Sequence, residues 1–509
     1  MSNGVRLAVI VGVLVFGFIG WSLAGVLGIG IGLAFGLVLL VICWWRQPLW
    51  AWTGLFLSRN QPVDLATLST VANDRSGGGV RYQDGIAATC IQILGKPHQP
   101  TFFTGSSKAM TENTLCLDGL FSTMRQSLGL TLESISLITC GSRRRGSGDY
   151  PAVYDTLIGT PPYAGRRETW LVVRLSSLAN ADALRYRTTV GAAALAAAQR
   201  IALTLRCRGV RARVASASDM AELERRLGGG ALQPHNRRWQ TLRGDSGWQT
   251  TYGYRAADIS SDALEQAWSL RADGIVQNIT LFADRTASAT LTVSTAQPPT
   301  APPSVILQTL PGQQTPARVA ALCCPRPEIR GLTRAAPSEA VIVPIGPSGV
   351  LLGKTGSGER LSLPLGDPGE QTRVHIAAED SVVKRIVIRL AAAGDRITLH
   401  TRNLDRWQSV RMPHVAVVEH PRPIVGTTVS VVDGTVSPAP RPNTVISTGP
   451  RGSALDRTAD IVIAQNGPQS VEITAGGRRY EVEMELFRVE NRYLAAPVVV
   501  AAPEYEMAD

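Results

Sequence analysis

The sequence predicts a mixed α/β protein, with an N-terminal two-helix transmembrane hairpin followed by two cytosolic α/β units. Three observations predict it. Between Arg6 and Arg46 lie 39 residues without a charge. Beyond them, short β-branched runs alternate with Ala- and Leu-rich helical stretches. A proline-rich segment, AQPPTAPPS, divides that remainder in two. With 509 residues the chain has room for two or three domains, and a hydrophobic content of 44% excludes a disordered chain.

As one helix, the uncharged stretch at about 1.5 Å per residue would measure roughly twice the ~30 Å hydrocarbon core of a bilayer. Two spans fit better, near Leu7–Trp21 and Leu27–Trp45, joined by a turn over Ser22–Gly28. Arg6, Arg46 and Arg59 all lie outside the hairpin and on one side of it, so the positive-inside rule places both ends in the cytoplasm. A cleaved signal peptide has one short apolar core and a small-residue cleavage site, whereas this stretch continues into a second span ending Trp44-Trp45-Arg46. The glycines at 28, 30, 32 and 36 permit close helix packing, a partner's helices included. After Pro48, LWAWTGLFL is too short to span and rich in Trp, Leu and Phe, which predicts a segment lying along the cytoplasmic interface. Residues 1–59 therefore form the membrane unit, and the polar stretch 60–79, ending in Gly77-Gly78-Gly79, is a linker.

The first soluble unit runs over 80–296. VRYQDGIAATCIQI reads as two strands about Asp84-Gly85, and LESISLITC and RRETWLVVRL as further strands, with Trp170–Leu175 suited to a buried central position. Residues 181–207 form the strongest helix, stopped by Gly209. VRARVAS follows as a strand and SDMAELERRL as a helix capped by Ser218 or Asp219. WQTTYGYRA, the helix DALEQAWSL, and the strands GIVQNITLF and ASATLTVST complete the unit.

Residues 297–340 are predicted as a Pro-rich, loop-like linker, and 341–509 as the second unit. There RVHIAA, SVVKRIVIRLAAAG, DRITLHT, LDRWQSV and HVAVVEH give a β-α-β-α-β pattern, the signature of a three-layer parallel sheet. SVEITAGGRRYEVEMEL closes the unit as a hairpin about Gly476-Gly477, before a frayed acidic tail.

The net charge of +11 rests on 47 arginines and only four lysines. They are scattered and interleaved with acids, unlike a nucleic-acid face. The densest run, Arg143–Arg145, lies in a Gly/Ser loop and reads as solvated or facing lipid headgroups. Seven cysteines, the vicinal Cys323 and Cys324 among them, show no paired C-x-x-C, which suits reduced thiols in the cytosol.

VPIGPSGVLLGKTGSGER approaches a phosphate-binding loop, but its first glycine, Gly349, sits one place late. Such a loop also feeds a helix at its Lys-Thr, and here Lys354-Thr355 is followed by Gly-Ser-Gly and the strand-like LSLPL. The stretch therefore reads as a glycine-rich turn between strands. Asp284 and Glu419 end apolar strands, as a magnesium-holding acid would, yet such endings are common. His414 and His420 have no cysteine or carboxylate at ligand spacing, and Glu379-Asp380 stands where a helix begins, which suits capping. No H-E-x-x-H, G-x-S-x-G or G-x-G-x-x-G is present, so no catalytic, cofactor-binding or metal residue is assigned and no cofactor, nucleic-acid partner or small-molecule substrate is expected. The alternative is a membrane-tethered nucleotide-dependent enzyme, an NTPase or transferase, using the 346–358 loop.

Four patches in order, VRYQDGIAATCIQI, RRETWLVVRL, RRWQTLRGDSGWQTTYGYRA and VPIGPSGVLLGKT, follow the membrane hairpin. In that order the chain resembles EccE, a membrane component of the type VII (ESX) secretion system of mycobacteria and related actinobacteria. The likeness covers about residue 80 to residue 355, with a fainter echo in RLAAAGDRITLHT. The resemblance implies a non-enzymatic inner-membrane subunit with two N-terminal spans and a cytosolic remainder. It also implies assembly with EccB, EccC and EccD, where EccC is the ATPase motor and EccE lies toward the periphery.

Overall fold

The computed structural model describes residues 3–41, 43–44, 47–58, 62–72, 77–244 and 247–494. The expected frayed tail lies outside these residues, as does part of the expected 60–79 linker.

The apolar N-terminus is helical over Asn3–Val41 (α1), but its backbone leaves the helical region at Ala24 (φ −140°) and Gly25 (φ 61°), inside the turn expected over Ser22–Gly28. The stretches on either side of the break lie against each other, with the Phe16 and Phe35 ring centroids 5.7 Å apart. Glycine permits this approach, because a Cβ on Gly20 or Gly28 would collide with the carbonyl of the other. Gly28, Gly32 and Gly36 thus serve packing within the chain, while Gly30 faces open space. Cys43 pairs with Pro48, which starts the next helix, Leu49–Ser58 (α2), beside the end of α1. The second helix apolar enough to be compared with α1, Val190–Cys207, buries Leu195, Ile201 and Leu205 in the protein core.

The first sheet is antiparallel and eleven-stranded among the described residues. Arg166–Ser176 lies at its centre between Ser134–Ser142 and Ile86–Ile93, as its unbroken apolar run predicts. Gly274–Phe282, Ala287–Thr295 and Gly247–Tyr254 extend it on one side, Gly77–Gln83 and Ser69–Ala72 on the other. Helix Val190–Cys207 covers one face. The helix expected over 181–207 is split into Ala181–Leu184 and Val190–Cys207, because Thr189 is an extended N-cap whose side chain accepts from Ala192 N at 3.0 Å. The following helix, Ala217–Gly228, starts one residue before Ser218 and two before Asp219, the expected caps. Ser216 Oγ accepts from Asp219 N while Asp219 Oδ2 accepts from Ser216 N, a reciprocal capping box.

The second sheet has twelve strands among the described residues. Six are parallel, in the order Val415–Val418, Ile397–Thr401, Val429–Asp433, Thr444–Thr448, Thr372–Ala377 and Ile461–Gln465. The β-α-β-α-β pattern accounts for three of them. Antiparallel strands continue the sheet through the Ser470–Ala475/Arg478–Glu483 hairpin to Val350–Thr355 and Arg360–Leu363. Helix Asp380–Ala393 is buried over every residue from Val382 to Ala393, since it lies against both the sheet and helix Asp149–Ile158.

The chain weaves between the sheets. Thr101–Thr104 and Lys108–Thr111, which fall within the expected first unit, complete the edge of the second sheet next to Arg360–Leu363. Tyr150, Tyr154 and Tyr163 likewise join the second core. Conversely the stretch expected to link the units is packed into the first: Leu307–Thr309 pairs with Gly247–Tyr254, and Ala320–Cys324 is buried under the sheet. Arg174, wholly buried, holds this strap, its Nε donating to Cys324 O at 2.6 Å and its Nη2 to Ala320 O and Leu322 O at 3.0 Å. The expected linker is a core segment because its carbonyls find donors there.

Arg174→Leu removes the donor of the Cys324 carbonyl, a loss of about 1–3 kcal/mol. Limited trypsinolysis should then show faster cleavage after Arg326, with a lower thermal midpoint. Arg174→Lys should recover only part of both, since an ammonium lacks the guanidinium fork.

Candidate functional site

The glycine-rich loop is a β-hairpin. Val350–Thr355 and Arg360–Leu363 pair antiparallel, and Thr355 N donates to Glu359 O at 2.8 Å to close the turn. No helix begins at Lys354-Thr355, so the macrodipole and converging N–H groups of a phosphate cradle are missing there. Lys354 stands half exposed on the strand with Nζ 3.3 Å from Glu485 Oε1. Gly349 is glycine for another reason: its φ is 80°, and a Cβ would run into the Leu363 and Pro364 backbone.

The preceding residues form the seam between the sheets. Ser348 N donates to Ala164 O at 2.7 Å, Tyr163 Oη to Gly349 O at 2.6 Å and Thr169 Oγ1 to Ile345 O at 2.8 Å. Beside this seam a cavity of about 440 Å³ opens among Arg166, Glu168, Asp367, Asp395 and Asn443. It lies at the amino ends of the parallel strands, opposite the edge where such sheets take ligands.

At the carboxyl ends the crevice is filled by the protein's own charges. Arg406 bridges Asp380 (Nε to Oδ1, 2.7 Å) and Asp433 (Nη1 to Oδ1, 2.8 Å). Asp433 also accepts from Trp407 Nε1 at 2.6 Å and Thr401 Oγ1 at 3.0 Å, and Lys384 Nζ lies 2.9 Å from Asp380. Burial disfavours the Asp380 carboxylate, but the hydrogen bonds from Lys384 and Arg406 prevail and hold it below the ordinary aspartate value. Glu379 is the N-cap by position but makes no side-chain cap, so the expected capping pair is instead an ion-pair anchor through Asp380. Asp433 ends an apolar strand just as Asp284 and Glu419 do, and nothing in the sequence distinguishes it from them.

The remaining candidates scatter. Asp284 accepts from Thr286 within its own turn, and Glu419 follows the edge strand Val415–Val418. His414 lies between Arg145 Nη1 (2.6 Å) and Ser147 Oγ (2.7 Å), and burial together with the charges of Arg145 and Arg396 lowers its pKa. His420 contributes a carbonyl to His400 Nδ1 at 2.9 Å. Among the described residues no three His, Cys, Asp or Glu side chains gather as a metal site. The Arg143–Arg145 run is not a solvated loop. Arg143 is fully buried, paired with Asp155 at 2.8 Å and donating to the carbonyls of Gly159, Pro161 and Trp268, because these irregular turns leave acceptors that only a long forked donor reaches. Arg145 reaches the Gly394 carbonyl.

Near the N-terminus, α2 meets the first sheet's edge, with the Trp52 and Trp239 ring centroids 5.5 Å apart. A cavity of about 520 Å³ lies beside this contact, lined by Leu55, Phe56, Arg237, Arg238, Trp239, Gly312, Gln314 and Thr315.

A family model described as "Putative type VII ESX secretion system translocon, EccE" matches residues 163–254, from the central strand of the first sheet to Tyr254. The ESX-2 secretion system protein EccE2 of Mycobacterium tuberculosis (strain CDC 1551 / Oshkosh) is 46% identical over 96% of this chain and 96% of its own length. That similarity runs past residue 420, well beyond the four ordered patches. The ESX-1 secretion system protein EccE1 of Mycolicibacterium smegmatis is 26% identical over 70% of this chain and 71% of its own. The ESX-5 protein EccE5 of Mycobacterium marinum is 29% identical over 22% of this chain and 28% of its own.

Lys354→Ala removes one exposed ion pair, worth less than about 1 kcal/mol. Its thermal midpoint should match that of the unaltered chain, and calorimetry with ATP and Mg²⁺ should give no saturable heat for either. A heat that the substitution abolishes would restore the nucleotide reading.

Proposed function

This chain belongs to the EccE family and is a component of a type VII (ESX) secretion system, and from that premise we propose that it is a non-enzymatic membrane subunit that scaffolds the inner-membrane assembly with EccB, EccC and EccD. The observation that carries the reading is the end-to-end similarity to a secretion-system protein, 46% identity across 96% of the chain. The filled crevice of the parallel sheet supports it, since a transferase or NTPase would keep that edge open for substrate.

In this reading α1 crosses the plasma membrane twice, as a hairpin turning at Ala24–Gly25. Several features support two spans. The stretch before the break, Asn3–Leu23, is about 31 Å long at 1.5 Å per residue, close to the ~30 Å core. The arms touch through glycines, and Leu14, Phe18 and Ile31 point apolar side chains outward, as a lipid-facing surface requires. The turn carries no charge, which eases its translocation. Both ends of the hairpin and the whole sheet-rich body then lie in the cytoplasm. Membrane unit 1–59 is followed by a body whose two sheets work as one block, since Thr101–Thr111 and helix Asp149–Ile158 join the second sheet and its core, and Leu307–Thr309, inside the expected linker, joins the first sheet.

Two experiments test this. Solubilisation of the native membrane in mild detergent, with capture of this chain, should recover a large complex containing EccB, EccC and EccD, and recovery of the chain alone would count against the scaffold. A membrane-impermeant maleimide should label the exposed Cys116 and Cys207 only after the cells are opened. Labelling of either in intact cells would overturn the cytoplasmic placement.

A further inference from the structure

Four exposed apolar side chains of the body fall on one surface, although they come from three separate stretches of chain. Leu128 is 83% exposed, Leu178 88%, Tyr186 90% and Leu203 54%. Contacts between the stretches hold them together. Thr131 N donates to Asn180 Oδ1 at 2.7 Å and Asn180 Nδ2 to Thr131 O at 2.9 Å, which fixes loop 126–131 beside Leu178. Arg187 Nη2 donates to Ser127 O at 3.4 Å, which brings Tyr186 to the same loop. Arg200 Nη1 donates to Ser127 Oγ, which sets the loop against helix Val190–Cys207 one turn before Leu203. Leu128 stands at the tip with φ 61°, in the left-handed region where a Cβ crowds the next carbonyl and Gly or Asn is favoured. Exposed as it is, this leucine has little contact within the chain to offset that strain.

The rim of this surface is cationic. Stretches 125–131, 178–190 and 199–208 hold six arginines and one acid, Asp182, which lies 3.5 Å from Arg185. Arg125, Arg187, Arg200, Arg206 and Arg208 form no ion pair among the described residues. Arg187 and Arg200 are held on the same serine, and burial together with the charge of Arg187 lowers the Arg200 pKa. An apolar centre inside an arginine rim is complemented by a segment that is apolar at its centre and acidic at its margins. Position favours protein over lipid as the occupant. Helix Val190–Cys207 lies on Ile86–Ile93 and Gly77–Gln83, whereas α2 meets the sheet through Trp239, beside Leu242–Gly244. Ile86–Ile93 is six strands along the sheet from Leu242–Gly244, about 30 Å at ~4.8 Å per strand.

We propose that this surface docks an acidic, amphipathic segment of another protein of the secretion complex, with Leu128, Tyr186 and Leu203 taking its apolar face and Arg125, Arg187 and Arg200 its carboxylates. Guanidinium groups pair with carboxylates through charge-assisted, often bidentate hydrogen bonds, and tyrosine and arginine are the side chains on which interfaces concentrate their energy. Docking gives Leu128 the apolar partner that its strained backbone position lacks within the chain. The proposal rests on the reading of the chain as a subunit of a larger assembly, and adds where a partner is held and by what chemistry.

The test keeps the full chain in its native membrane. Tyr186→p-benzoylphenylalanine places a photoreactive ketone on the surface, and peptide mass spectrometry identifies what light attaches to it. The expected adduct is a peptide of another subunit, with Asp and Glu about apolar residues. Leu128→Asn relieves the left-handed strain, so the thermal midpoint should hold or rise while the adduct falls about tenfold, the effect of one anchoring side chain. Arg125→Glu, on an exposed side chain, should lower the adduct as far at an unchanged midpoint. An adduct to lipid, to nucleic acid, to a second copy of this chain or to a neutral or basic peptide overturns the site, as does the absence of any adduct or a yield that either substitution leaves unchanged. Capture of the same sample in mild detergent separates the two ideas. A complex containing EccB, EccC and EccD without the acidic adduct overturns the docking site alone, and the chain recovered by itself without an adduct overturns both.

Discussion

A backbone carbonyl that is buried but outside a helix or ladder must find a donor, and this fold meets that demand with arginine. Arg174 serves three carbonyls of the strap at 320–324, and Arg143 those of Gly159, Pro161 and Trp268. Arg389 joins the Glu490 carboxylate at 2.7 Å to the Leu351 carbonyl at 3.1 Å, with Tyr150 Oη donating to the same carboxylate. Arg81 links Ala66 O, Cys323 O and Glu224, and so ties the segment after α2 to the strap and to helix Ala217–Gly228. Each of these sites needs a long side chain with several donors in a fixed fork, which an ammonium does not provide. The imbalance of 47 arginines to four lysines is thus put to structural use, whatever its genomic origin. Burial works against these charges and lowers the pKa of Arg174, whereas at Arg389 and Arg81 the Glu490 and Glu224 carboxylates outweigh burial and raise it.

These forks allow the chain to weave between the two sheets. Leaving the first sheet after Ile93, it builds the far edge of the second, returns to the first as Ser134–Ser142, leaves again as a helix on the second core, and comes back as the central strand of the first. Such an excursion buries irregular connections between layers, where unpaired carbonyls would cost more than loops at a surface. The result is a body with two cores and a shared seam, in which neither sheet is complete without chain from beyond the expected boundary. A block of that kind suits a subunit that must keep several contact surfaces in fixed relation.

Much of this was legible locally and little of it globally. The strands about Asp84-Gly85, the central Trp170–Leu175 run and the Gly476-Gly477 hairpin follow from periodicity and turn chemistry, which act over a few residues. Which sheet a four-residue strand such as Thr101–Thr104 joins depends on contacts some 260 positions away, and alternation does not encode that. The strap was misread for a related reason: Ala320–Cys324 has no periodicity, and its place in the core is decided by Arg174, 150 residues earlier. Arg143 looked solvated because a basic Gly/Ser loop usually is, and only the carbonyls gathered around it show otherwise. Ser216 was passed over as a cap in favour of its neighbours, an error of two or three residues at a helix end where several hydroxyls compete.

The four sequence patches that carried the family resemblance acquire a physical meaning in this light. VRYQDGIAATCIQI and RRETWLVVRL are neighbours in the first sheet, paired residue by residue from Ile86–Ser176 to Ile93–Thr169. The residues before the glycine hairpin clasp that central strand through Thr169 and Ile345, so the fourth patch locks the second sheet onto the second patch. The third patch forms the opposite edge of the sheet and carries Arg237, Arg238 and Trp239, where the body meets α2. The second and fourth border the cavity at the amino ends of the parallel strands, opposite the edge where such sheets take ligands. Their residues set a strand centre, a seam between the sheets and an edge against α2. The Gly-Lys-Thr that resembled a phosphate loop belongs to that set: its glycines let two backbones pass closely, and its lysine answers a glutamate on the next strand's continuation.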